Sequence, residues 1–173
     1  MKTRSRMNAV LSIIFAVIVV IGNCYTSNAA TVPYLNGWTL LDSGRHLDYD
    51  GDSIYMSNYT VGTTRWNNYK SGVIREDTAW IIEDVYVSDT TSSAQWKGKT
   101  FPNGYTTFNI SQMQNLASYK QTNVAAHEIG HALGIGHGNY GDLMYEVSSS
   151  YNYTVPLSQN DKLSYDYVYA TTY

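Results

Sequence analysis

The sequence predicts a single domain of the α+β class. The chain has 173 residues, which is about the size of one domain. Its hydrophobic fraction of 43% against 14% charged residues indicates that it buries a core and is not disordered. Segments with helical and strand patterns follow in the order helix, strands, helix, loop, helix, and no internal repeat is visible.

The first helix is predicted over about residues 55–69. Four aromatic residues fall there at spacings compatible with one helical face: Tyr55, Tyr59, Trp66 and Tyr69. Two strands are predicted next, over 81–87 and 106–110, because both segments are rich in β-branched and aromatic residues. The second strand follows a turn signal, Asn103-Gly104.

Two further helices are predicted in the second half of the chain. The longest helix-compatible stretch runs over 112–134, and Gly134 suits the left-handed position that ends a helix. Near the C-terminus, Ser158 and Asp161 have the spacing of a capping box, which predicts a short helix through Val168.

The N-terminus has the pattern of an export signal. Three basic residues precede an apolar run over 9–22, and small residues follow at Ala29 and Ala30. We therefore predict a signal peptide over 1–30, cleaved after Ala29 or Ala30, and a secreted, extracellular domain over 31–173. An uncleaved membrane anchor is the alternative, although the run of 14 residues is shorter than the roughly 20 that a spanning helix needs.

The charge and the cysteine content argue against several classes of function. The formal net charge is -3, and losing the three basic residues of the signal makes the mature domain more acidic, so nucleic acid is not an expected partner. The only cysteine, Cys24, lies in the predicted signal, which leaves the mature domain without a disulfide or a thiol nucleophile. Asn23 before it is a poor match to a lipoprotein acylation site. We expect a monomer without stable membrane association after signal cleavage.

The segment 127–137 contains the candidate metal ligands. His127 and His131 are four residues apart, so on a helix both imidazoles project from one face and can bind one ion. This spacing suits zinc, which accepts imidazole nitrogens. Gly134 and Gly136 allow the helix to end and the chain to turn, so that His137 approaches as a third ligand. The fourth position of one catalytic zinc is then left to water.

Glu128 is the predicted general base. It lies about 100° around the helix from His127, which places its carboxylate beside a metal-bound water without making it a ligand. Zinc lowers the pKa of such a water, and the carboxylate takes its proton during attack on a peptide carbonyl. Two alternatives stay open: a catalytically inactive zinc-binding module and a cell-surface-anchored protein of the same fold.

The histidine pattern, with Gly134 and Met144, resembles the long zinc signature and Met-turn of the metzincin metallopeptidases. The residues Leu143-Met144-Tyr145 are most similar to the matrixin branch, the matrix metalloproteinase type. The resemblance implies a small zincin with a twisted mixed sheet, an active-site helix and a C-terminal helix. It also implies polypeptide substrates that pair with an edge strand, which the resemblance places at Thr106 to Ile110.

The sequence also departs from the family. Some metzincins have a tyrosine ligand two residues after the methionine, but Glu146 stands there, so three protein ligands are expected. Apart from His46 there is no further histidine for a second, structural zinc. The acidic segment 48–52 does not match a calcium-binding EF-hand loop, and we expect a solvated turn there, with calcium binding as the alternative.

Overall fold

The computed structural model describes residues 32–78 and 82–172. The five strands are β1 (Leu47–Gly51), β2 (Ile74–Glu76), β3 (Val85–Thr90), β4 (Gly98–Thr100) and β5 (Tyr105–Asn109). The four helices are α1 (Met56–Asn67), α2 (Ile110–Met113), α3 (Ser118–Ala132) and α4 (Gln159–Thr171), and a 3₁₀ turn covers Ser148–Ser150. This content confirms the predicted α+β class.

The strands form one mixed sheet in the order β2-β1-β3-β5-β4. The first four are parallel to one another, whereas β4 is antiparallel to β5. The segment Tyr105–Asn109 is therefore a strand, as predicted, but it lies between β3 and β4 and not at the edge. Strand β4 forms the edge on this side of the sheet, so the sequence-based assignment of the edge strand was wrong. The turn at Asn103-Gly104 joins β4 and β5 as a hairpin, with Gly104 at φ 87°.

Helix α1 packs against both the sheet and α3. Tyr59 and Trp66 are fully buried, and the indole nitrogen of Trp66 donates to the carbonyl of Ala126 in α3 at 2.8 Å. This bond satisfies a polar group inside the core. Tyr55 is also buried, as the predicted helical face requires, but Tyr69 lies beyond the end of the helix and is half-exposed.

Helix α3 is shorter than predicted, because residues 110–113 form the separate helix α2 and α3 begins at Ser118. Its end is as expected: the helix ends at Ala132, Leu133 is its C-cap, and Gly134 takes φ 102°. The last carbonyls of a helix lack partners within it. Here the segment 36–40 supplies them, since Asn36 Nδ2 donates to the carbonyl of His131 and the Leu40 amide to that of Ala132.

Helix α4 begins with the predicted capping box, in which the amide of Asp161 donates to the Ser158 hydroxyl and the Asp161 carboxylate accepts from the Ser158 amide. The same carboxylate, almost fully buried, also accepts the amides of Leu143 and Met144 at 2.9 and 3.2 Å. Asp161 thus ties the turn at 143–144 to α4.

The acidic segment 48–52 is not a solvated turn, and that interpretation was wrong. Most of it is strand β1, in which Asp48 is 1% exposed. Arg75 on the neighbouring β2 donates from Nε and Nη2 to both Asp48 oxygens at 2.7 and 2.6 Å. A two-bond ion pair with a guanidinium makes it feasible to bury the carboxylate at the centre of a strand.

No helix within residues 32–78 and 82–172 has the length and hydropathy needed to cross a membrane. The predicted signal over 1–30 lies outside the described residues, as does the start of the strand predicted over 81–87. The described strand in this region covers 85–90.

Replacing Asp161 with alanine should lower the free energy of unfolding by about 3 kcal/mol, because three backbone amides lose their acceptor. Ser158→Ala, which removes only the helix cap, should cost about 1 kcal/mol. Asp166→Ala is the control: it removes a half-exposed ion pair with Lys70 and an exposed hydrogen bond from the Tyr69 hydroxyl, which together are worth about 1 kcal/mol. Denaturant unfolding of the three variants checks this order. An Asp161→Ala loss no larger than that of Asp166→Ala would contradict the anchoring role.

Candidate metal centre

The structure brings together the three histidines named from the sequence. His127 and His131 lie one turn apart on α3, with ring centroids 4.6 Å apart. After Gly134 the chain reverses, and the His137 ring comes to 5.3 Å from that of His127 and 4.9 Å from that of His131. One ligand nitrogen from each of the three residues can be chosen so that all lie within 4.8 Å of one another.

Hydrogen bonds to main-chain carbonyls orient two of the rings. His127 Nδ1 lies 3.0 Å from the carbonyl oxygen of Leu143, and His131 Nδ1 lies 2.8 Å from that of Ile135. A carbonyl can only accept, so each Nδ1 carries the proton. Each Nε2 is then unprotonated and has a lone pair for a metal ion. Such a second hydrogen bond is the usual companion of a metal-bound imidazole.

The surroundings also keep the imidazoles neutral. Burial lowers the pKa of His127 to about 3, and the neighbouring His131 adds to the effect. Burial is the main cause that lowers the pKa of His131 as well, and that of His137 falls through burial and the proximity of His131. Neutral imidazole is the form that binds metal, so the three rings are ready to act as ligands near neutral pH.

The donor set fits zinc. Three imidazole nitrogens from an (i, i+4) pair and a third residue beyond the helix are a common catalytic zinc set, in which one position stays open. Imidazole ligands without hard oxygen ligands do not favour calcium or magnesium. His127, His131 and His137 would therefore hold the ion.

Glu128 lies beside the three histidines and is 4% exposed. Its Oε2 accepts a hydrogen bond of 2.9 Å from the hydroxyl of Thr100 on the edge strand β4. Gly98, two residues earlier on the same strand, leaves room for the glutamate, since a Cβ there would lie 2.7 Å from Cγ of Glu128. Burial raises the pKa of Glu128 to about 7, although the bond from Thr100 opposes this rise. A carboxyl group with such a pKa suits proton transfer near neutral pH.

Met144 forms the floor below the histidines. It is fully buried, and Gly130, on the helical turn between His127 and His131, has no side chain where the methionine sulfur packs. A Cβ at Gly130 would clash with that sulfur and would also meet Trp66 at 2.9 Å. The soft, apolar thioether fills this space without competing as a hydrogen-bond partner.

The histidines and Glu128 line a cleft of about 460 Å³. One wall is the segment 95–100, which contains the edge strand β4, and the other is the segment 146–149 after Met144. In the β4–β5 hairpin, Lys97 and Phe101 form backbone hydrogen bonds with β5. Because bonded positions alternate along an antiparallel strand, Gly98 and Thr100 turn their backbone amides and carbonyls toward the free edge.

A second group of close ligand oxygens belongs to Asp42, Asp48 and Asp84. Arg75 already forms two hydrogen bonds with Asp48, so this group has its own counter-charge. Of the residues in the acidic segment 48–52, only Asp48 takes part in the group. Calcium binding stays a prediction.

Sequence reasoning missed Thr100, Gly98 and Asp161 as residues that support the site. Gly98 and Thr100 both lie on the edge strand β4. The turn signal at Asn103-Gly104 could have identified it, because such a turn between two strands predicts that the residues before it pair with those after it. No comparable signal marks Asp161 as the acceptor for the amides at 143–144, since this contact is formed only in the folded chain.

A solved structure with a TM-score above 0.5 has a similar fold. A chain of a structure titled "GM1 bound form of the ECX AB5 holotoxin" superimposes with a TM-score of 0.54 and 16% sequence identity, over 80% of this chain and 87% of that one. High choriolytic enzyme 1, a hatching enzyme zinc-protease from the medaka fish Oryzias latipes, matches with a TM-score of 0.36 and 17% identity, over 58% of this chain and 50% of its own. The comparison with curated proteins found no match.

The matrixin family model matches residues 37–170, which include the sheet, α3, the three histidines and α4. The match covers most of the chain, and it confirms the resemblance seen in the sequence. The chain therefore belongs to the matrixin family and is a zinc metalloendopeptidase.

Proposed function

We propose that this protein is a secreted endopeptidase that binds one catalytic zinc through His127, His131 and His137 and uses Glu128 as its general base. The observation that carries the proposal is the placement of three neutral imidazoles and one buried carboxyl group in a single cleft beside a free strand edge. No serine or cysteine nucleophile is needed for this chemistry. The expected partners are polypeptides.

The chemistry divides between the metal and the chain. Zinc, when bound, supplies Lewis acidity, which acidifies water and polarises a peptide carbonyl. Glu128 accepts the proton that the attacking water loses and delivers it to the leaving amine. Its carboxyl group is suited to both steps, because burial has brought its pKa to about 7. The hydrogen bonds from His127 and His131 to main-chain carbonyls keep the ligands in place.

The edge strand β4 is the proposed binding surface for the substrate main chain. Gly98 and Thr100 present backbone groups along the cleft, and an extended peptide can complete their hydrogen bonds as an additional strand. Recognition through the main chain does not require particular side chains, which suits cleavage within polypeptides of varied sequence.

Two rival functions remain as alternatives. An inactive zinc-binding module would keep the three histidines, but it would have no need of a buried carboxylate next to them. The presence of Glu128 in the cleft favours the enzyme. A cell-surface-anchored protein would keep the apolar run over 9–22, which is shorter than a spanning helix.

The decisive experiment is hydrolysis of casein by the purified protein next to Glu128→Ala. We expect the wild type to cleave and the variant to lose at least about 100-fold in rate, because a general base contributes on the order of 10²–10⁴. Both proteins should contain about one zinc by metal analysis, because Glu128 is not a ligand. If both contain zinc and neither cleaves casein or a varied peptide library, the inactive binding module is the correct function.

Replacing His131 with alanine should abolish both zinc content and hydrolysis. His46→Ala is the matched control, since His46 lies far from this cluster in sequence and is not among its ligand residues. Treatment of the wild type with a chelator should lower the melting temperature, because a ligand that binds only the folded state stabilises it. Added zinc should restore both activity and stability. Equal zinc loss in the His46 and His131 variants would contradict the ligand assignment.

Export should remove residues 1–29 or 1–30. N-terminal sequencing of the protein from the culture medium should begin at Ala30 or Thr31. Fractionation of cells and medium provides the control, because an anchored protein would stay with the membranes. A protein that began at Met1 in the membrane fraction would support the cell-surface alternative.

A further inference from the structure

We propose that Thr100 on the edge strand is a positioning residue for the general base, and that its hydroxyl fixes which oxygen of Glu128 moves the proton. The inference builds on the proposed function, since it concerns how the same carboxyl group is held. It rests on a set of hydrogen bonds that link the edge strand β4, the next strand β5 and helix α3.

The Thr100 hydroxyl lies within hydrogen-bond distance of three oxygens. It is 2.9 Å from Oε2 of Glu128, 3.1 Å from the main-chain carbonyl of Glu128 and 3.0 Å from the hydroxyl of Thr106 on β5. The first two are acceptors, so the single proton of Thr100 points toward Glu128. The hydroxyl of Thr106, which is fully buried, then donates to Thr100.

This arrangement determines the roles of the two carboxyl oxygens. Oε2 accepts the hydrogen bond from Thr100, whereas Oε1 lies beside the space left open at Gly98. Oε1 is therefore the oxygen that accepts the proton from water and returns it to the leaving amine. A carboxyl group held by one oxygen loses rotational freedom about its last bond. Such preorganisation lowers the cost of reaching the reactive geometry.

Thr100 also belongs to the surface that binds the substrate. Its backbone amide and carbonyl face the free edge of β4, while its side chain points across to α3 and Glu128. The same residue therefore contacts the peptide main chain through its backbone and the base through its hydroxyl. A peptide seated on β4 is thereby kept at a fixed distance from the carboxyl group that acts on it.

Thr100→Val tests the proposal, because it removes the hydroxyl and keeps the shape of the side chain. We expect kcat to fall about tenfold with KM changed less than twofold, since the loss of one charge-assisted hydrogen bond affects the base more than main-chain binding. Thr100→Ser should restore most of the rate. Thr107→Val is the matched control: its hydroxyl bonds Ser88 on the opposite face of the sheet, and its activity should be that of the wild type.

A double variant separates positioning from general weakening of the fold. In Glu128→Asp the shorter side chain withdraws from Thr100, so adding Thr100→Val to it should cause no further loss of kcat. A multiplicative loss would overturn the proposal, because it would show that Thr100 acts independently of Glu128. Melting temperatures and zinc contents of all variants are measured alongside, and a Thr100→Val rate equal to that of Thr107→Val would likewise overturn it.

A spectroscopic readout does not depend on activity. The chain contains four glutamates, so ¹³C-labelled glutamate gives few side-chain carboxyl signals, and the Glu128→Gln variant assigns one of them. Thr100→Val should shift the Glu128 signal and Thr107→Val should not. An unshifted signal would overturn the contact itself. If Thr100→Val shifts the Glu128 signal but the wild type cleaves no peptide, the proposed function is contradicted while the contact between Thr100 and Glu128 stands.

Discussion

The site depends on the hydrogen bonds that two metal-facing histidines form with main-chain carbonyls. An imidazole can rotate and can carry its proton on either nitrogen, so residue spacing alone does not present a lone pair to a metal. Hydrogen bonds to the carbonyls of Leu143 and Ile135 fix both the ring orientation and the position of the proton in His127 and His131. Neither carbonyl lies in α3, and the fold must bring two non-helical segments to fixed points beside that helix.

Each of those segments is held in turn by buried contacts. The turn at 143–144 is anchored by the Asp161 carboxylate, which also caps α4. The carbonyl of Ile135 is placed by the reversal at Gly134, and the amide of Ile135 donates to the carbonyl of Gly130. The segment 36–40 covers the end of α3 and accounts for the remaining carbonyls there. Residues distant in sequence thus determine the orientation of two side chains four residues apart.

This dependence explains what could be predicted from the sequence. Local preferences account for the presence of the long helix and its end before Gly134, the capping box at Ser158 and the strand near 106–110, whereas the start of the helix was predicted too early. The order of strands does not follow from local preferences, because pairing between distant segments has no local sequence signal: β5 is internal and β1 is a strand, not a solvated turn. An acidic residue such as Asp48 indicates solvent exposure unless its counter-ion is known, and Arg75 is 27 residues away in sequence.

The two walls of the cleft differ in how firmly they are connected to the metal centre. The edge strand is linked to Glu128 through Thr100, and through Thr106 to the buried centre of the sheet. The opposite wall follows Met144 directly, and its serines at 148 and 149 are buried against α3. All three side chains start from α3, but the sheet holds the carboxyl group of Glu128, whereas main-chain carbonyls of Leu143 and Ile135 orient the imidazoles of His127 and His131. Because different contacts hold the Glu128 carboxyl group and the two imidazoles, a substitution at Thr100 should leave the histidine cluster intact. The carboxyl group of Glu128 thus lies beside the three imidazoles without belonging to their cluster, and a hydroxyl from a neighbouring strand holds it there.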